Sequence, residues 1–109
     1  MKLYSKIYGY GFQELIIIHG LFGMSDNWNS LGKKFAGHFR VHLVDLRNHG
    51  RSPHSEQFDY EVMCADIIQY IEDNNIQRPI LLGHSLGGKV AMKFAFTHPE
   101  LIEKIIVAD

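Results

Sequence analysis

The chain has few of the residues that build special architectures. A single cysteine, Cys64, excludes an internal disulfide, and a lone thiol is no metal framework. No block of five or six like charges occurs. Lys and Arg number 11 against 12 Asp and Glu, a formal net charge of -1. This balance excludes the basic footprint of a nucleic-acid binder and a polybasic membrane patch. The longest purely aliphatic run, Leu15 to Ile18, falls far short of the roughly 20 residues that span a bilayer. The start, Met1 to Lys6, lacks the apolar stretch of a signal peptide. Repeats, low-complexity tracts and linkers are also missing. What remains is a 109-residue chain, 46% hydrophobic and 21% charged, with the values of one ordinary globular domain. It is expected to be soluble and cytoplasmic, with neither nucleic acid nor membrane as partner.

A rhythm runs along the chain: a short apolar run, a glycine-bearing loop, then a helical pattern. Leu15 to Ile18 reads as a buried strand and leads into His19-Gly20-Leu21-Phe22-Gly23. Ser25 and Asp26 are cap candidates for a helix that places Trp28, Leu31 and Phe35 on one face. Val41 to Asp45 is the next strand, followed by turn-rich Leu46 to Ser52. Asp59 caps a helix with apolar Tyr60, Met63, Cys64, Ile67 and Ile71 at helical spacing. Pro79 to Leu82 and Lys104 to Ala108 are further strands, separated by a helix from Leu86 to Thr97. The first dozen residues read as an extended segment with a turn at Gly9-Tyr10-Gly11. Strands alternating with helices predict an α/β fold, a mostly parallel sheet with helices on both faces. In such sheets ligands bind at the carboxyl ends of the strands, where the glycine-bearing loops fall.

The sharpest signal is Gly83-His84-Ser85-Leu86-Gly87, directly after one strand and before one helix. This is the G-x-S-x-G nucleophile elbow in the setting its chemistry demands. So tight a turn forces the serine into a strained conformation with its hydroxyl raised above the sheet. Side chains at either flanking glycine would meet backbone. The amide of Leu86, at the positive end of the following helix, is the candidate for one oxyanion donor. The amide of Leu21 is the candidate for the second. Such donors contribute on the order of 3–4 kcal/mol each to catalysis. The plain reading of Ser85 as a helix N-cap competes with this one, as does a strand-ending turn at His19-Gly20. A P-loop is a further competitor, since Gly83, Gly88 and Lys89 satisfy G-x-x-x-x-G-K. The next residue is Val90, however, which cannot hold the magnesium ion that Ser or Thr holds there.

With these motifs in view, and with Asp45-Leu46-Arg47-Asn48-His49-Gly50-Arg51-Ser52, the chain resembles the amino-terminal portion of an α/β-hydrolase-fold protein. The fourth residue of that motif is usually glycine in the family; Asn48 also tolerates a left-handed backbone. The Arg-Asn-His-Gly form, His-Gly-Leu-Phe-Gly and Asn27-Trp28 resemble a narrower group of small bacterial carboxylesterases. Their eukaryotic relatives are mitochondrial α/β-hydrolase-domain proteins. The resemblance implies hydrolysis of small acyl esters or thioesters, without a metal or organic cofactor. Ser85 would be the nucleophile in an acyl-enzyme mechanism, followed in chain order by an acid and a histidine.

The sequence departs from the pattern at the histidine. After Ser85 only His98 remains, beside Pro99 at a helix end, where a capping contact is expected. His84 is expected to point away from the serine, and His19 and His49 to orient or pack loops. His38, His42 and His54 read as ordinary surface or partly buried side chains. Asp109, after the strand ending at Ala108, is the candidate acid, with a plain strand-end role as its alternative. Asp45 ranks below it as a loop-shaping residue. The strand Lys104 to Ala108 would form an apolar, uncovered sheet edge, and such edges recruit other strands. Residues 1–109 are therefore expected to be part of a single domain whose cap region and carboxyl-terminal half lie elsewhere. Alone, the chain would self-associate through that edge and turn over poorly. A non-catalytic module of the same fold is the alternative, with C–C bond hydrolases and haloperoxidases further variants on the same elbow.

Overall fold

The computed structural model describes residues 1–108; the candidate acid Asp109 lies outside the described residues. Five strands form one sheet: β1 (Ser5–Tyr8), β2 (Gln13–Ile18), β3 (Phe39–Val44), β4 (Ile80–His84) and β5 (Lys104–Ala108). Their order is β1-β3-β2-β4-β5. β1 runs antiparallel to β3, and the other neighbours are parallel. The α/β fold with a mostly parallel sheet is thus the one the pattern predicts. The extended segment at the start supplies the antiparallel edge strand.

Three helices cover the two faces: α1 (Asn29–Phe35), α2 (Tyr60–Asp73) and α3 (Leu86–Thr97). Because side chains alternate along a strand, β2 sends Ile16 and Ile18 to one face and Leu15 and Ile17 to the other. The first face packs against α2 and α3 around Met63, Ile67, Val90 and Phe94. The second packs beneath α1 with Val41, Leu43, Ile80 and Leu82 and with the partly buried Trp28 and Phe35. Burial on both faces explains why the strands are runs of Ile, Leu and Val rather than alternating patterns.

A local capping signal accounts for the start of α2 but not for that of α1. Asp59 caps α2 as expected, its carboxylate accepting the Val62 amide at 2.8 Å. Ser25 and Asp26 do not cap α1. They lie inside a short 3-10 turn, Ser25–Trp28, and Asn27 Oδ1 accepts the Met24 amide at 2.9 Å instead. The reason is tertiary: Ser25 is buried with its amide donating to Asp45, and Asp26 is drawn into an ion pair with Lys6.

Two buried polar groups run against the apolar pattern. His42, expected at the surface or partly buried, is fully buried on β3. One ring nitrogen lies 2.7 Å from Tyr70 Oη and the other 2.7 Å from Glu14 Oε1. Burial pushes the Tyr70 phenol up to about 12, so it keeps its proton, and Ser5 Oγ lies within hydrogen-bond distance at 2.9 Å. Asp66 occupies the core-facing side of α2 and grips Arg47 with two hydrogen bonds of 2.6 and 2.8 Å. Removing one member of such a pair leaves a desolvated charge behind. Asp66→Ala is therefore expected to cost about 3–5 kcal/mol in unfolding free energy, measured by urea denaturation. A loss below about 1 kcal/mol would show that water reaches Arg47.

Candidate active site

The carboxyl ends of β2, β3 and β4 converge, and each is followed by one of the loops singled out by sequence. Only Ser85 separates β4 from α3. Its backbone sits at φ 54° and ψ −113°, a strained combination for any residue with a side chain. Its side chain is exposed, as a hydroxyl raised above the sheet must be. A single linking residue also rules against the P-loop, whose intervening residues must wrap a phosphate. Here they belong to the strand and the helix.

Missing side chains make the bend fit. A Cβ on Gly83 would collide with the Gly87 carbonyl and lie 2.6 Å from the Gly88 amide. A Cβ on Gly87 would collide with the Ile18 carbonyl oxygen and lie 2.7 Å from that of His19. The start of α3 thus rests directly on the end of β2. A Cβ on Gly20 would come within 3.3 Å of Ser85 Cβ, which places the loop after β2 against the candidate nucleophile.

That loop is a turn closed by the Gly23 amide donating to the Gly20 carbonyl at 2.9 Å, with Phe22 left-handed at φ 63°. Leu21, one of its two central residues, is half exposed. Leu86 opens α3, where helix geometry leaves the amide without an intrahelical acceptor. The two candidate donors, Leu21 and Leu86, therefore stand on the loop after β2 and at the start of α3, which meet at Ser85. Grooves of about 430 Å³ and about 280 Å³ flank the Leu21 loop. The larger is walled by Phe22, Met24 and Phe58, the smaller by Asn27, Trp28 and His84.

Asp45 shapes its loop. Fully buried, it accepts the amides of Ser25 at 2.6 Å and Arg51 at 2.9 Å, so its carboxylate is spent on backbone. Asn48 takes the left-handed conformation at φ 66° that its motif position requires. Of the histidines, His84 packs its ring on Trp28 at 5.6 Å. His98 closes α3 against Phe94 and the Thr97 hydroxyl, and twelve helical residues put it about 18 Å from the elbow. His19 is buried, with Nδ1 2.7 Å from the Gly20 carbonyl and Nε2 accepting the Leu46 amide at 3.0 Å. His49 is buried beside it and accepts the Phe22 amide at 3.0 Å. Both hold loops, the role expected of them, but their amide partners were not legible in sequence, because nothing local marks a histidine that serves a loop 27 residues away.

A third groove, of about 400 Å³, lies between α2 and α3 and includes Cys64. Burial pushes that thiol up to about 11, so it offers no thiolate nucleophile at neutral pH.

The matching family model covers residues 14–109 and describes the α/β hydrolase fold. The chain belongs to the α/β hydrolase fold family. A Haemophilus influenzae protein named as an esterase/lipase is 50% identical over 95 residues, 87% of this chain and 33% of its own length. The sn-1-specific diacylglycerol lipase ABHD11 of Danio rerio is 40% identical over 97 residues, 87% of this chain and 31% of its own. Among solved structures, a marine microorganism esterase superposes with a TM-score of 0.97 at 44% identity, covering 99% of this chain and 41% of that one. The chain thus spans about a third of the length of these curated relatives. Among the described residues no helix is long and apolar enough to cross a membrane.

Two outcomes follow from the geometry. Ser85→Gly relieves the strained backbone and is expected to raise unfolding free energy by about 1 kcal/mol, measured by thermal or urea unfolding. No gain would mean that the bend is unstrained. The second concerns acid. Burial lowers the pKa of His19, reinforced by neighbouring His49, while the Gly20 carbonyl opposes it less. Burial also lowers that of His42, against the pull of Glu14. The unfolded chain takes up these protons near pH 6.5 and the folded chain only lower, so the unfolded state binds more protons in that window. Stability is expected to fall as pH drops from about 6.5, by up to about 1.4 kcal/mol per pH unit and histidine. Urea midpoints between about pH 7.5 and 5.5 check this.

Proposed function

We propose that this chain is the nucleophile-bearing part of a serine hydrolase acting on small acyl esters or thioesters. The observation that carries the reading is Ser85, alone between β4 and α3 at positive φ, with the Gly20–Gly23 turn against it. A serine held this way serves no capping role: it makes no side-chain cap hydrogen bond to α3. The strain has a use only if the hydroxyl must stand clear of the sheet. The names esterase/lipase and diacylglycerol lipase borne by relatives at 40–50% identity support an ester substrate.

In the proposed reaction Ser85 Oγ attacks the acyl carbonyl carbon and its proton passes to a base. The carbonyl oxygen takes up the negative charge between the Leu21 and Leu86 amides. The ester or thioester bond breaks, the leaving alcohol or thiol carries off the proton, and Ser85 is acylated. Water, deprotonated by the same base, then releases the acid and restores the hydroxyl. The groups offered by this chain need no metal or organic cofactor for these steps. His19, His42 and His49 have both ring nitrogens in other hydrogen bonds, His84 packs on Trp28 and His98 stands at the far end of α3, so the base is assigned to residues outside this chain. Asp109, next after Ala108, is the proposed acid or acid partner. Residues 1–109 are accordingly proposed as part of one hydrolase domain. The exposed Ile106 and Val107 on edge strand β5 support a further strand beside it.

The test uses the natural protein that carries this chain. A fluorophosphonate probe is expected to label Ser85, and Ser85→Ala to lower p-nitrophenyl ester turnover by more than about 10⁴-fold. Absence of labelling, with the fold intact, would favour the non-catalytic module.

A further inference from the structure

The loops after β2 and β3 hold each other through two imidazoles in contact. The rings of His19 and His49 lie 4.9 Å apart. His19, on the first loop, accepts the Leu46 amide of the second at 3.0 Å. His49, on the second loop, accepts the Phe22 amide of the first at 3.0 Å. The remaining nitrogen of each faces a carbonyl oxygen, Gly20 for His19 at 2.7 Å and Arg47 for His49 at 2.9 Å. A carbonyl only accepts and an amide only donates, so both rings must be neutral with the proton on Nδ1.

We propose that His49 is a positioning residue for the reaction: by accepting the Phe22 amide it fixes the peptide next to the candidate oxyanion donor Leu21. Turns with a left-handed third residue normally place glycine or asparagine there. Phenylalanine at φ 63° is disfavoured and relaxes if the Leu21–Phe22 peptide flips. That flip turns the Phe22 amide away from His49 and forfeits its hydrogen bond. His49 therefore selects one of two turn conformations, and the selected one carries the Leu21 loop against Ser85. Phe58 also packs against the His49 ring, with centroids 5.9 Å apart. This inference rests on the proposed serine hydrolase reading for its catalytic consequence, but not for the clasp itself.

Two variants of the natural protein separate positioning from packing. His49→Phe keeps an aromatic ring for Phe58 and His19 but has no acceptor. His49→Gln loses the ring but carries an oxygen at about the reach of Nε2. Positioning predicts that His49→Phe lowers kcat about 10- to 100-fold with KM within about threefold, and that His49→Gln restores most of the loss. A packing role predicts the reverse order, and that result, or two unaffected variants, overturns the proposal. Nitrogen-15 NMR of the His49 imidazole in the wild-type protein decides the clasp without turnover. The Nδ1–H tautomer supports it and the Nε2–H tautomer overturns it. If fluorophosphonate fails to label Ser85 while the Nδ1–H tautomer is found, the hydrolase reading has failed and the clasp stands.

Discussion

The close approach of α3 to the end of β2 governs everything above the sheet. Gly87 lies so near the Ile18 and His19 carbonyls that no side chain fits between them, and Gly83 lies equally near the Gly87 carbonyl. A helix brought this close leaves a single residue, Ser85, to turn the chain, and that residue must accept a positive φ. The strain is affordable because the layers on either side are rigid. β4 is hydrogen-bonded to strands on both edges, and α3 buries Val90, Ala91 and Phe94 completely. An unpacked strand–turn–helix of the same sequence would relax to a lower-energy bend.

Polar groups buried beneath the loops complete that rigidity. Asp45 offers no free oxygen to solvent; it ties the turn at Ser25 to the loop at Arg51. The Ser52 hydroxyl donates to the Asp45 carbonyl and accepts the Tyr4 amide, so the amino-terminal segment is fastened to the same knot. Arg47 leaves that loop in the opposite direction and pairs with Asp66 on α2. Each contact exchanges water for a fixed partner and contributes little net energy. Their common effect is specificity of loop position, because any slip would leave a desolvated donor or acceptor without a partner.

The histidines show how one residue type takes different roles through its surroundings. His42 bridges a phenol and a carboxylate under α2, His84 packs on Trp28, His98 closes a helix, and His19 and His49 receive backbone amides. Imidazole suits the loop positions because its two nitrogens can donate and accept at once when neutral. A histidine so engaged is a poor proton acceptor for Ser85, since taking up a proton would break its contact with an amide.

Much of this protein was readable from short-range pattern. Apolar runs marked β2, β3, β4 and β5, helical spacing marked α2 and α3, and the glycines around Ser85 marked the elbow. These signals are local: a strand's alternation, a helix's period and a tight turn's need for glycine are set by neighbours along the chain. The cap of α1, the burial of His42, the Arg47–Asp66 pair and the amides held by His19 and His49 were not readable in this way. Each depends on groups 19 to 28 residues apart meeting at particular strand ends or across the sheet. The sequence by itself determined the elements and the serine's place between two of them. Tertiary structure alone decided which polar groups face one another, because sheet order brings β2, β3 and β4 side by side and only their register chooses the pairs.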